Sequence, residues 1–316
     1  MTTRPILELR ARIRRGLRDL FDSAGFVEVD TPVLAAEVLP EAHIDPITVP
    51  LPGAAPRFLQ ASPEALMKRL LARGAGPIYQ FAHAFRAGER GRQHDMEFVL
   101  LEWYAPAAVL DDVAPFLERL CGLALGTSGI HRLSCRDAFR EHAGVDLFTA
   151  DAEDLEGAAR RAGMPPPDGW SALPAEERRD RGFELLLATV VQPRLGHDRP
   201  VMLEGWPASQ AAFARLDPHG ETLARRFELF VRGVELANGW EEETSRDVLE
   251  ARIAAANRFR AAAGRPVLPV PQRLLEAHGA AMPSGSGVAL GFDRLVMLAA
   301  GADSIDAVRG FNSETG

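Results

Sequence analysis

Arg86 closes an apolar run and opens a crowd of charge. Residues 81–104 read FAHAFRAGERGRQHDMEFVLLEWY. The ends of this stretch alternate as strands do, over 77–86 and 97–106, and the middle is a polar loop. Alternation places Arg86 on the side of Gln80, Ala82 and Ala84, a floor of non-bulky residues with room for a flat or extended ligand. Arginine suits phosphate there, because its planar fork donates two hydrogen bonds at once. On the returning strand Glu102 and Tyr104 are two residues apart and share a face. A solvated hairpin laced with cross-strand ion pairs would use the same residue types.

A second set is acidic. Glu228, Glu235 and Glu242 are spaced by sevens, which in a hairpin brings carboxylates onto neighbouring strands. Two glutamates with water and phosphate oxygens make a hard-cation site of the kind Mg²⁺ takes. A surface acidic strand would carry the same pattern. The third set is GSGVALGFDR, residues 285–294. Its glycines permit close backbone approach, and Arg294 falls in the first turn of a helix, where free N–H groups favour anions. It is neither a Walker A loop nor GxGxxG. Together the three sets point to nucleotide chemistry on an antiparallel sheet.

The elements that would position these residues follow from periodicity. Residues 7–24 read as an amphipathic helix, with Leu7, Ile13, Leu17, Leu20 and Phe21 near one face and Gly25 ending it. FVEVDTPVL, residues 26–34, alternates as a strand, with Pro32 limiting it to an edge or an end. Residues 50–57, rich in Pro, Gly and Ala, read as a loop. Ser62-Pro63-Glu64 opens a helix, with Ser as N-cap, Pro in the first turn and Glu at the positive helix end. A helix is expected over 109–125 and a strand over 200–206. Residues 226–244 read as a hairpin turning near Arg232-Gly233. A helix follows over 245–263, and a glycine-rich strand runs straight into a helix over 284–301. The polar stretch 149–196 is expected as a helical insertion. Strands joined by hairpins, with helices outside them, predict a single α+β domain over 1–316 with a mainly antiparallel sheet.

Composition bounds the partners. The net charge of −8 and pI near 5.6 exclude a broad nucleic-acid-binding surface. The two cysteines, Cys121 and Cys135, form no CxxC pair, which argues against a cysteine zinc site and fits a reduced cytosolic protein. The N-terminus lacks a signal-peptide core, and no apolar run reaches the roughly 20 residues that span a bilayer. A cytoplasmic protein is expected.

At these residues the sequence resembles class II aminoacyl-tRNA synthetases. Residues 27–34 with Pro32 look like motif 1. Phe85-Arg86 with His94 and Glu97-Phe98 looks like motif 2, and GVALGFDR from Gly287 to Arg294 looks like motif 3. SPE followed by MKRLL, FVLLEWY and ELANGWEE are similar to the lysyl branch. LLEWY, WPASQ, GVELANGW and SGVALGFDRLVML resemble a truncated offshoot of that branch, the elongation factor P lysine ligases. Motif 1 begins almost at the N-terminus, so no anticodon-reading OB-fold is expected.

The resemblance implies a function and roles. The family activates (R)-β-lysine, or less well α-lysine, with ATP and transfers the acyl group to a lysine of translation elongation factor P. Arg86 and Arg294 would be the catalytic arginines, on the α-phosphate and on the γ-phosphate of bent ATP. His94 would approach the β/γ-phosphates and Gly291 would lie under the adenosine. Glu228 and Glu235 would bind Mg²⁺. Ser62, Glu64, Glu102, Tyr104, Asn238, Glu242 and Ala289 would surround the lysine-type substrate, whose two ammonium groups need carboxylates. Motif 1 implies a homodimer.

Two departures stand out. The motif 2 Glu that helps recognise adenine is Gly88 here, with Glu89 next, and the HNPEF Asn that often contacts the nucleotide is Asp95, so the resemblance places Gly88, Glu89 and Asp95 at the ATP. Either Glu89 shifts into the adenine role or backbone groups read the base. At 289 lysyl-tRNA synthetases often have Gly; the Ala289 methyl at the pocket floor would alter which lysine isomer fits. The same motifs would also serve a minimal synthetase acting on tRNA or a small amine. A catalytically silent regulatory relative is the other alternative.

Overall fold

The computed structural model describes residues 3–219 and 222–316. In chain order its strands are β1 (Val27–Glu28), β2 (Leu34–Ala35), β3 (Thr48–Leu51), β4 (Ala54–Leu59), β5 (Ile78–Phe85), β6 (Glu97–Pro106), β7 (His131–Ser134), β8 (Val201–Pro207), β9 (Leu223–Val231), β10 (Val234–Glu241) and β11 (Gly285–Gly291). The helices are α1 (Arg4–Ser23), α2 (Glu64–Leu71), α3 (Leu110–Leu125), α4 (Cys135–Ala143), α5 (Ala152–Arg161), α6 (Ala175–Leu186), α7 (Arg246–Ala262), α8 (Gln272–Ala277) and α9 (Phe292–Ala300). Among the described residues no helix is long and apolar enough to cross a membrane.

Eight strands form one sheet in the order β1-β5-β6-β11-β10-β9-β8-β7. It is antiparallel from β5 to β8, and a parallel strand closes each end, β1 on β5 and β7 on β8. The α+β class with a mainly antiparallel sheet is therefore what the chain adopts. Each face of the sheet has its own cover. Tyr79, Val99, Leu101, Trp103, Val288 and Leu290 point to a core shared with α1, α3 and α9. On the opposite face, Val201, Leu203, Trp206 and Phe230 pack against α4, α5 and α6. That second cover stops short of β5, β6 and β11, and the site described below opens there.

Two expectations are corrected. The strand over 26–34 is two separate pairs of residues, because the chain leaves the large sheet after Glu28 and joins a small one at Leu34. The loop expected over 50–57 is the turn and flanks of the β3–β4 hairpin in that small sheet, ordered β2-β4-β3. The hairpin turns at Gly53, whose φ of 69° suits glycine. The stretch 149–196, expected as a helical insertion, carries α5 and α6, which share a core with β8 and β9.

Candidate functional site

A cavity of about 260 Å³ lies on the uncovered face of β5, β6, β11 and β10. Its floor follows from register. Ala84, Ala82 and Gln80 on β5 face Phe98, Leu100 and Glu102 on β6, and Glu102 and Leu100 face Ala289 and Gly291 on β11. Ala82 and Ala84 are buried, so the small residues do leave the room that the sequence suggests.

On β10 a bulge decides which carboxylates reach this face. Glu235 pairs with Phe230 and Asn238 with Glu228, but the register shifts between Glu235 and Ala237. Residues 235 and 238 are an odd number apart and would point to opposite faces of a regular strand. The extra residue, Leu236, restores Glu235 to the face of Asn238. Glu228, opposite Asn238, shares it.

One end of the cavity is basic. Arg86 lies over the Phe98 ring, 5.0 Å to its centroid, and its Nε donates to the Ala61 carbonyl at 3.4 Å. Glu89 is 3.8 Å away. Arg294, in the first turn of α9, donates from Nη1 to the Glu235 carbonyl at 2.8 Å and lies 3.4 Å from the Glu235 carboxylate. Its Nη2 meets His94 Nε2 at 2.7 Å. Lost hydration and the Arg294 charge hold His94 below the usual histidine range, so the neutral ring accepts this bond.

Glu228 is 7 % exposed and accepts from Arg226 Nη2 at 2.6 Å. Burial and the neighbouring Glu235 push it up to about 8. A carboxylate so disfavoured beside a second one is what a cation would relieve. Among the described residues no three His, Cys, Asp or Glu side chains gather as a metal cluster. Mg²⁺ at Glu228 and Glu235 would thus take its remaining ligands from phosphate oxygens and water, which is how it is usually held.

The other end is acidic and buried. Pro63, not Ser62 as expected, is the N-cap residue of α2; Ser62 just before it accepts from Glu64 N at 3.0 Å, and its hydroxyl donates to Glu102 Oε2 at 2.7 Å. Tyr104 donates to the other Glu102 oxygen at 2.7 Å. Burial and Glu64 push Glu102 up to about 8, against these two donors. Glu242, just past β10, accepts from Trp240 Nε1 at 3.1 Å, and burial pushes it up to about 7. Asn238 Oδ1 is held by Arg226 Nε at 3.3 Å.

Asp95, expected at the nucleotide, borders the cavity, but its carboxylate is engaged within the protein. Its side chain is fully buried. Oδ1 accepts from Met96 N at 2.9 Å and from the Ser313 hydroxyl, and Oδ2 from Ser313 N at 3.0 Å and Arg309 at 2.7 Å. Asp95 ties the 86–96 loop to the C-terminal segment. Gly88 sits in an exposed turn with φ 75° and contributes no side chain, whereas Glu89 lines the cavity.

Three residues escape the sequence reading. Glu41 lines the cavity mouth, and burial pushes it up to about 7 against the pull of Arg86. Asp293 accepts from Val99 N at 2.8 Å and pairs with Arg10 at 2.6 Å, fixing the start of α9 on β6. Lys68 is buried between Glu64 and Glu242. The i,i+4 spacing of Glu64 and Lys68 was the one available signal, and on most helices it marks a solvated pair.

The chain matches a family model described as tRNA synthetases class II (D, K and N) over residues 2–315. It is 38 % identical over 312 residues to a protein of Enterobacter sp. (strain 638) named elongation factor P--(R)-beta-lysine ligase, covering 97 % of this chain and 94 % of that one. Proteins of the same name from Erwinia tasmaniensis and Edwardsiella ictaluri are 39 % and 40 % identical, each covering 96 % of this chain and 93 % of the relative.

Proposed function

The chain belongs to the class II tRNA synthetases of the D, K and N type, and from that premise we propose an ATP-dependent, AMP-forming ligase of the elongation factor P lysine type. It activates (R)-β-lysine, or α-lysine, as the aminoacyl-adenylate and passes the acyl group to a lysine side chain of translation elongation factor P in the cytoplasm. The relatives' names support the acceptor and the amino acid. The observation that carries the reading is the polarity of one cavity, with Arg86 and Arg294 at one end and Glu64, at the head of the buried carboxylates, at the other.

The chemistry follows from that polarity. ATP lies with its triphosphate between Arg86 and Arg294, and the adenosine lies over Gly291. Glu228 and Glu235 would hold Mg²⁺, which when bound would neutralise phosphate charge. Glu89 and the loop backbone read the adenine. Ser62, Glu64, Glu102, Tyr104, Asn238 and Glu242 hold the two ammonium groups, over the Ala289 methyl. The amino-acid carboxylate attacks the α-phosphorus and pyrophosphate leaves in line, so no protein nucleophile is needed. Arg86 neutralises charge that develops on the α-phosphate. The acceptor lysine then attacks the acyl carbon, AMP leaves, and the attacking amine loses a proton.

Val27, Val33 and Leu34 are exposed beside the short β1 edge. We read this edge as the face of a homodimer, which light scattering in solution tests directly.

The test of the activity is ATP–pyrophosphate exchange with α-lysine and both β-lysine enantiomers, followed by mass spectrometry of elongation factor P. Exchange with at least one isomer and a mass gain of one lysyl group on the factor are expected. No exchange with any isomer sinks the ligase reading, and transfer to tRNA alone sinks the acceptor.

A further inference from the structure

The acidic end of the cavity contains an ammonium of its own. Lys68 lies one turn after Glu64 on α2 and is 2 % exposed. Its Nζ is 2.6 Å from Glu64 Oε1 and 2.7 Å from Glu242 Oε2. The rings of Phe213 and Trp240 lie 5.6 and 5.8 Å from that nitrogen. Burial works against the charged form, but Glu242 and Glu64 outweigh it and hold Lys68 above its ordinary range. A charge buried this deeply persists only if it is paired, and both of its partners belong to the substrate pocket.

Glu242 shows what the pairing leaves over. Its Oε2 accepts from Lys68 and Trp240. Among the described residues its Oε1 has no hydrogen-bond partner, although Glu242 is only 3 % exposed. A side chain at Gly287 would overlap this oxygen and crowd the Tyr104 ring. The unpartnered acceptor thus packs against the Gly287 backbone beside the Tyr104 ring, where only glycine leaves it room. Fully ionised, Glu64, Glu102 and Glu242 carry three negative charges. Lys68 cancels one, and two remain for the two ammonium groups of a diamino acid.

We propose that Lys68 is a specificity-determining positioning residue of this pocket. It fills one cation place among the three carboxylates, holds the Glu242 carboxylate in place, and sets the residual charge for an amino acid with two ammonium groups. The inference rests on the lysine-type reading of the site. A monoammonium analogue such as norleucine leaves one negative charge unmatched.

The experiment compares wild type with Lys68→Met and Lys68→Arg in ATP–pyrophosphate exchange. For Lys68→Met the KM for the diamino acid should rise about 100-fold, the scale of truncating one partner of a buried charge pair. The KM for ATP should change less than about twofold, because the arginine end is untouched. The fall of diamino-acid KM with rising pH should also move to higher pH, since Glu242 loses the cation that favours its charged form. Lys68→Arg, which keeps the charge, should recover part of the loss. An unchanged diamino-acid KM with an unmoved pH profile overturns the proposal, and so does a parallel rise in both KM values, the mark of general damage. Absence of exchange in wild type overturns the function itself and this inference with it.

Should Lys68→Met not fold, the side-chain ¹⁵N spectrum of the wild-type protein, whose one lysine is Lys68, gives the answer. The Lys68 ammonium signal, assigned by its loss in Lys68→Arg, should resist solvent exchange and shift when the diamino acid is added. A freely exchanging signal that ignores the ligand overturns the proposal.

Discussion

Arg86 is held loosely for a buried-site arginine: one long bond to a carbonyl, a ring beneath it, and a distant Glu89. Little of the fold depends on it, whereas the proposed chemistry does. Arg86→Ala should lower exchange by about 100-fold or more while the melting temperature stays within a few degrees. A rate near that of wild type would remove its assigned role. Gly287 is the opposite case, a residue with no chemistry whose replacement should still disable the site. A methyl there overlaps Glu242 and Tyr104. Gly287→Ala should therefore raise diamino-acid KM and cost about 1–3 kcal/mol of stability, read from denaturant unfolding. Unchanged KM would mean that the pocket has slack the packing does not show. Arg86, Glu102, Tyr104 and Arg294 were legible in the sequence because strand alternation and a helix start fix where they point. Lys68 and Glu41 were not. Their meaning lies in burial and in partners distant in the chain, and no local period carries either.

At the scale of elements, the two long hairpins were readable because their strands are apolar and largely alternate, the β10 bulge aside, and their turns are polar or carry Arg232-Gly233, both at positive φ. The β3–β4 hairpin was not. Pro50 and Pro56 read as loop punctuation, yet both sit where the β3–β4 register shifts, and β2 pairs only with Phe58 and Leu59. No ladder bond is asked of either proline. Asp95 belongs to this scale too, because its job is to join two elements. The loop from Arg86 to Met96 is strapped to the C-terminal segment by Asp95, by Arg90 with Asp306 at 2.7 Å, and by Ile305 N donating to the Arg92 carbonyl at 2.9 Å. His94 and Arg86 ride on that loop. Asp95→Asn keeps an acceptor for Met96 but removes the charge that Arg309 pairs with. The ATP KM should rise about tenfold, in line with losing a charge-assisted bond, while the diamino-acid KM holds. If both constants stay put, the strap does not position the nucleotide loop.

The whole molecule gathers buried carboxylates around one cavity, and this sets how its stability answers pH. Glu102 and Glu228 are pushed up to about 8, and Glu41 and Glu242 to about 7, each chiefly by burial. Their ordinary value is 4.5. A carboxyl whose folded value exceeds its unfolded one binds its proton more tightly in the native chain. The stability this confers is fully present below the unfolded value and is lost as pH rises through the folded values, here through 7 to 8. The net charge of −8 adds self-repulsion as these groups ionise. The free protein should therefore melt at lower temperature at about pH 8.5 than at about pH 6. The proposed ligands act in the opposite sense, because diammonium and Mg²⁺ bind the ionised carboxylates. The rise in melting temperature on adding diamino acid, ATP and Mg²⁺ should be larger at about pH 8.5 than at about pH 6, by linkage. Thermal denaturation across that range, with and without ligands, measures both slopes. A free protein that gains stability with pH would show that the native chain ionises these groups at no cost. A ligand shift that shrinks with pH would show that cations do not meet these carboxylates.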